Sequence, residues 1–391
     1  MDFRFTEQEE AFREEVRTLL KRELPQPWYG FDNEEGDDRE WAFGREFTKK
    51  LADRGWLTLA WPKEYGGQGR SHMEQLIYNE EMAYNRAPGG GGHGVAWVGP
   101  ALMLYGTEEQ KRFYLPKISS GEIVFCTLYS EPGAGSDLAS LQTKVVDVGD
   151  SWVINGQKIF NSGAHRSDYA WLAARTDPDA PKHRGISTFI FDMKTPGVTV
   201  RPLYNMANAH YFNEVFLDDV RVPKDTLVGQ LNRGWYQVAV ALDFERSGIG
   251  RAASARRTLE ELTVYAKEAK RNGRFLAEDP TIRRQLGELT TQVERCRLLS
   301  YRIAWMQSQG MVPNYETSMA KVFGSELGQR LVSFGMQLLG LYGQLPEGNK
   351  WAPLRGRIER SYMTSVSATI AAGTSEINRN VIATRGLGLP R

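Results

Sequence analysis

The feature that most limits what this chain can fold into is a double change in the spacing of its apolar residues. Up to about residue 120 they recur at helical spacing, as in Phe12, Val16, Leu19 and Leu20. From Gly121 to Pro223 the spacing shortens. Seven runs, "EIVFCTLYS", "TKVVDV", "SWVING", "YAWLAAR", "STFIFDM", "VTVRPL" and "NEVFLDDVRVP", are β-branched or aromatic and are separated by Gly, Pro, Asn and Asp. Such runs predict an antiparallel β sandwich or barrel of about 100 residues. After Pro223 long helical stretches return, near 234–270, 281–308, 314–340 and 356–371, and predict a four-helix bundle. The expected fold class is therefore mainly α with a β domain. An N-terminal helical domain spans 1–120, a middle β domain 121–228 and a C-terminal helical bundle 229–391.

Local signals mark the joints. Thr6 with Glu9, and Thr107 with Gln110, have the spacing of a capping box. Asp279-Pro280 reads as a helix start, and "YGGQG" and "GGGG" as loops or close backbone approaches. Composition narrows the partners. A net charge of +1 over 391 residues gives no basic surface for nucleic acid. No apolar run reaches the roughly 20 residues of a membrane span, and "MDFRFTEQEE" lacks a signal-peptide core. Cys126 and Cys296 are too few for a disulfide framework, and the five histidines show no H-x-x-x-H spacing. A cytoplasmic protein without a structural metal is expected.

Three segments carry candidate chemistry. "SATIAAGTSEINR" breaks at Gly373-Thr374, which reads either as a helix–turn–helix corner or as the lip of a site with exposed N–H groups. "EPGAGSD" is small-residue backbone that leaves room for a planar ligand, with Ser130 and Ser136 as hydroxyl donors; locally it also reads as a strand-ending turn. In "VAVALDFERSGIG", Val238, Leu242, Glu245 and Ile249 are spaced 4, 3 and 4, so they fall on one helical face. The i±3 and i±4 neighbours of Glu245 (Ala241, Leu242, Gly248 and Ile249) carry no charge to pair with it. Apolar surroundings raise a carboxyl's pKa toward that of a general base. A rim carboxylate facing solvent is the alternative.

With "SEPGAGSD", "INGQKIF" and "GTSEI" in this order, the chain resembles the acyl-CoA dehydrogenase family over nearly its whole length. The resemblance implies an FAD enzyme that oxidises an acyl-CoA thioester to the 2,3-enoyl-CoA and passes electrons to an electron-transfer flavoprotein. It implies that Thr127 to Ser136, with Tyr129, Ser130 and Gly135 among them, lie along the flavin, and that Ser136 also touches the CoA part of the substrate. Phe160 and Ser162 are implied to pack against the isoalloxazine, Phe standing where Trp is common; local sequence alone reads Phe160 as sandwich core. Gln337 and Gly340 are implied to contact the adenosine half of FAD, with Leu341 where a second Gly is usual. Thr374, Ser375 and Glu376 match a further FAD contact.

In most of the family the residue before Gly-Thr is Glu, the base. Here it is Ala372. One branch, which includes the isovaleryl-CoA and long-chain enzymes, carries its base on the first long helix of the bundle in a D-x-E-R pattern, matched by Asp243, Glu245 and Arg246. The resemblance thus implies Glu245 as the base for the pro-R α-proton while a β-hydride leaves for flavin N5. Asp243 and Arg246 are then substrate ligands. The N–H of Ala372, beside Gly373, is implied to hold the thioester oxygen together with an FAD ribityl hydroxyl, and the small side chain leaves room for branched, cyclic or otherwise bulky acyl groups. Two departures stand out. Ala269 and Asn272 replace the Arg and Phe of an R-x-x-F-G segment, with Lys270 and Arg271 as imperfect substitutes, and Met363-Thr364 replaces an R-D pair. They count against full FAD occupancy in a homotetramer and suit a heterotetramer with a paralogue, acting on bulky, steroid-like CoA substrates; homotetramer and heterotetramer are the two assemblies the resemblance allows. A non-catalytic or oxygen-using member stays open.

Overall fold

The computed structural model describes residues 4–31, 37–241 and 248–390. Helices α1 (Glu7–Glu23), α2 (Asp38–Ala52), α3 (His72–Tyr84), α4 (Gly99–Tyr105) and α5 (Glu108–Ser119) come first. Strands β1 (Phe125–Leu128), β2 (Lys144–Asp147), β3 (Ser151–Lys158), β4 (Tyr169–Arg175), β5 (Ile186–Asp192), β6 (Val198–Tyr204), β7 (His210–Pro223) and β8 (Leu227–Val228) follow. The chain then forms α6 (Gly234–Ala241), α7 (Ile249–Glu268), α8 (Pro280–Ser308), α9 (Tyr315–Leu339), α10 (Arg357–Ala368) and α11 (Ser375–Val381). Each of the seven short runs contains one strand. Of the eight strands of this sheet only the two-residue β8 had no readable signal; a separate two-residue pair, Lys270–Arg271 with Arg274–Phe275, had none either.

Both expected capping boxes form, and Asp37 with Glu40 and Ser71 with Glu74 make two more. The Asp279 carboxylate accepts from the Thr281 N–H at 2.7 Å and so starts α8 at Pro280. "YGGQG" is a close approach, since a Cβ on Gly67 would lie 2.0 Å from the Trp61 carbonyl oxygen.

The chain gathers into two compact units that do not follow chain order. The first comprises Met1–Asp32, Arg70–Pro88 and Arg246–Arg391; the second comprises Asn33–Gly69 and Gly89–Glu245. Helices α1 and α3 therefore belong with the bundle, while α2, α4 and α5 belong with the sheet. Long-range pairing explains the first grouping. Arg13 of α1 donates to Glu80 and Glu81 of α3 at 2.9 and 2.7 Å, and Arg297 and Tyr301 of α8 donate to Glu80 at 2.7 and 2.6 Å. Leu76 of α3 shares one apolar cluster with Ile249, Leu262, Val293, Leu327 and Ile358.

In the second unit the strand order is β6-β7-β3-β2-β4-β5-β8, with β1 beside β4. The ladder is antiparallel as expected except that β1 and β2 run parallel to β4. All four residues of β1 are buried, and β4 is buried over its five central residues, which fits strands covered on both faces. Leu128, Ile154, Leu172, Phe189 and Val215 centre its core. No described helix is long and apolar enough to cross a membrane, and no cluster of described His, Cys, Asp or Glu could hold a metal ion.

The Arg13 network makes a prediction. Burial pushes the Glu80 carboxyl up, but hydrogen bonds from Tyr301 and Arg297 outweigh it and hold the group below its ordinary 4.5. A depressed folded pKa gives stability that is present above the unfolded value and lost as pH falls through the folded one. Arg13→Met leaves Glu80 with Arg297 and Glu81 with Arg17, so it should cost about 1.5–3 kcal/mol, read as a lower urea midpoint, with acid unfolding moved to higher pH.

Candidate functional site

In the sheet unit the candidate residues lie on two loops tied together from below. The chain leaves β1 at Leu128 and turns back at Pro132-Gly133, where Glu131 and Ala134 exchange backbone hydrogen bonds of 3.0 Å. The strand-ending turn is thus real, and it is also a platform. Thr127 is buried, Tyr129 and Ser130 are half-buried, and Gly135 and Ser136 are exposed. A Cβ on Gly133 or Gly135 would meet nothing within 4 Å, so the loop presents an open face.

The second loop follows β3. The N–H of Ile159 donates to the Ser130 carbonyl at 2.9 Å, and the Asn161 side chain to the Thr127 carbonyl at 3.0 Å. Between them stands Phe160, with a left-handed φ of +59°. It is 59% exposed, which corrects the local reading of this ring as sandwich core. A bulky residue at positive φ is uncommon and strained. Here the inward positions on both sides are taken by Lys158 and Asn161, and the ring is left outside, edge-on to Phe212 at 6.2 Å. Ser162 is half-buried beside it.

Lys158 was not among the expected site residues. It is 0% exposed, and its ammonium donates to the carbonyls of Tyr129 and Ala173 at 3.0 and 2.8 Å and to the Glu131 carboxylate at 2.9 Å. Glu131 in turn accepts from the N–H groups of Gln142 and Thr143 at 2.6 and 2.8 Å. Burial pushes the Lys158 pKa down to about 8, against the pull of Glu131. One buried ion pair therefore fixes both loops.

In the bundle unit a groove of about 710 Å³ brings together Gln337, Thr374, Ser375 and Glu376 with Gln329 and Arg330. Gly340 is not part of its lining; it ends α9 at φ +61° and ψ −138°, a conformation suited to glycine. Glu326 and Arg379 form an ion pair across the lining at 2.6 Å, whereas the Arg330 guanidinium has no carboxylate partner among the described residues. The Ser375 hydroxyl is buried without a hydrogen-bond partner among them. Arg271 is exposed and donates from one nitrogen to the Leu338 carbonyl at 3.0 Å, near the end of α9.

Ala372 and Gly373 form the break before α11, with φ of +54° and +81°. Ala372 is exposed, and its N–H meets no acceptor among the described residues. Thr374 caps α11 by accepting from the Ile377 N–H at 3.2 Å. The segment is thus a corner with an available amide.

Asp243, Glu245 and Arg246 lie outside the described residues. One end of the stripe read from Val238 to Ile249 does need correction. Gly248, at φ +67°, is the N-cap of α7, so no single helix runs from Val238 to Ile249. Val238 packs in a cluster of the sheet unit with Ala134 and Ile186, and Ile249 packs in the bundle cluster. A left-handed glycine interrupts the 3.6-residue period just before Ile249, so Ile249 does not share one helical face with Val238.

Comparison with known proteins adds three matches in chain order. Residues 6–122, 126–220 and 232–387 match the N-terminal, middle and C-terminal domains of acyl-CoA dehydrogenases. Acyl-CoA dehydrogenase FadE26 of Mycobacterium tuberculosis is 38% identical, over 100% of this chain and 99% of its own. Among solved structures, the ChsE4-ChsE5 complex of Mycobacterium tuberculosis matches with a TM-score of 0.90 at 37% identity, covering 100% of both chains. The Tcur3481-Tcur3483 steroid ACAD matches with a TM-score of 0.89 at 37% identity, also over 100% of both.

The Lys158 pair yields a double-mutant cycle. Lys158→Met alone leaves Glu131 buried as an unpaired charge and should cost about 3–5 kcal/mol in denaturant unfolding. Adding Glu131→Gln should return much of that loss. Additive losses in the cycle would mean that the pair does not act as one unit.

Proposed function

The chain belongs to the acyl-CoA dehydrogenase family, and we propose that it oxidises a bulky acyl-CoA thioester to its 2,3-enoyl-CoA with Glu245 as the base. The family is one of FAD-dependent oxidoreductases. The chain's own residues fit that cofactor. The groove has a buried, unpartnered Ser375 hydroxyl and an Arg330 without a carboxylate partner among the described residues, suited to polyol and phosphate oxygens. Gln337, Thr374 and Glu376 line the same groove, and Gly340 adjoins it in sequence. The resemblance assigns the flavin ring to the open loop from Thr127 through Tyr129, Ser130, Gly135 and Ser136, with Phe160 and Ser162. When bound, FAD supplies the hydride acceptor.

The observation that carries the reading is the Ala372 amide, exposed, without an acceptor among the described residues and held at left-handed φ. A backbone N–H on the thioester oxygen polarises the carbonyl and acidifies the α-proton, each such donor being worth about 3–4 kcal/mol. An alanine there can accept no proton, so the base must come from elsewhere. The D-x-E-R match of Asp243, Glu245 and Arg246 is the remaining support for Glu245, with Asp243 and Arg246 orienting the substrate. Ser136, exposed on its loop, and Gly373 complete the expected substrate contacts.

Two further parts of the reading rest on the relatives. Similarity to a two-chain complex and to a steroid ACAD favours a subunit of a heteromeric enzyme for steroid-like CoA thioesters over a homotetramer. An electron-transfer flavoprotein would take the electrons, and two buried free thiols suit a cytoplasmic setting.

Glu245→Ala should keep its yellow FAD and lose anaerobic bleaching by acyl-CoA, slowing by ~10²–10⁴. A near-native reductive rate in stopped flow rejects Glu245 as the base. In the unaltered protein, steroid-like thioesters should bleach the flavin faster than straight-chain ones of equal length. The reverse order rejects the bulky-substrate reading.

A further inference from the structure

Ala372 holds a backbone conformation that alanine avoids, because its Cβ crowds the following carbonyl. Something must fix that turn, and two side chains do. The Lys321 ammonium of α9 donates to the Gly373 carbonyl at 2.6 Å. The Asn378 side chain donates to the same oxygen at 2.8 Å and to the Thr374 carbonyl at 3.0 Å. The Ser375 N–H closes the corner on the Thr369 carbonyl at 2.9 Å.

Lys321 is the unusual member. It is only 7% exposed and forms no ion pair among the described residues. Among the described residues, the charged groups around it are Arg251, which repels it, and Glu326 and Glu376, which attract it without reaching salt-bridge distance. Burying an ammonium is costly, and a methionine of similar length would pack the same space. Among the described residues, its ammonium hydrogen-bonds to a carbonyl in the turn that carries Ala372.

We propose that Lys321 is a positioning residue: by fixing the Gly373 carbonyl, together with Asn378, it aims the Ala372 N–H at the thioester oxygen. The inference rests on the reading of Ala372 as that oxygen's donor. It is independent of Glu245, because a donor can be aimed whichever group removes the proton.

The test reads carbonyl polarisation directly. Cinnamoyl-CoA, whose absorption moves to longer wavelength as its carbonyl is polarised, is bound to the holoenzyme and its difference spectrum recorded. Lys321→Met should keep its FAD content and circular dichroism, bind the probe, and lose at least half of the native red shift. Flavin bleaching by a saturated acyl-CoA should slow roughly tenfold, less than the ~10²–10³ for outright loss of such a donor. Lys321→Arg, which keeps a cationic donor, should recover most of the shift. A native shift in Lys321→Met overturns the role of Lys321 and leaves Ala372 untouched. No shift in the unaltered protein overturns both. Should Lys321→Met not fold, Asn378→Ala removes one of the two donors and should give an intermediate shift; an unchanged shift there overturns the paired clamp.

Discussion

Backbone that is neither helix nor strand persists only where its carbonyls and amides find partners, and in this chain two nearly buried ammonium groups are among them. Lys158 joins the carbonyls of Tyr129 and Ala173, and Lys321 holds that of Gly373. Each cation lies close to an exposed residue in left-handed conformation, Phe160 in one unit and Ala372 in the other. The strained residue faces out and its tether is inside. That arrangement is what turns a glycine-rich corner into a surface of fixed shape, and it is where an observed outlier points to function.

Much of the architecture could be read from the sequence because its signals are local. Alternation with turn residues marked seven of the eight strands of the large sheet, and caps such as Thr6, Thr107 and Asp279 marked helix starts to the residue. What escaped was decided at long range. The parallel pairing of β1 with β4 depends on a strand 44 positions away (Phe125 with Tyr169), and the union of α1 and α3 with the bundle depends on Arg13, Glu80 and Arg297. Neither leaves a trace in periodicity.

The site was legible in its glycines and less so in its cations. "EPGAGSD" and "GTSEI" announced open backbone through small residues. Lys158 did not announce itself, because a lysine in an alternating strand reads as solvent-facing until Glu131, 27 positions earlier, is seen to face it. Lys321 was hidden in the same way, its acceptor lying 52 positions later. The apolar stripe read from Val238 to Ile249 is broken at its far end, where one left-handed glycine, Gly248, precedes Ile249; Leu242 and Glu245 lie outside the described residues. The claim for that carboxylate now stands on its D-x-E-R pattern and on the inability of Ala372 to serve as a base.

The most direct measurement of that claim separates proton removal from oxidation. An acyl-CoA without β-hydrogens cannot be oxidised, yet its α-proton still exchanges with D₂O if a base reaches it and the carbonyl is polarised. Followed by NMR on the holoenzyme, exchange should be rapid in the native protein and slow by at least a hundredfold in Glu245→Gln, within the range general-base catalysis contributes. Native-rate exchange in that variant would contradict the account.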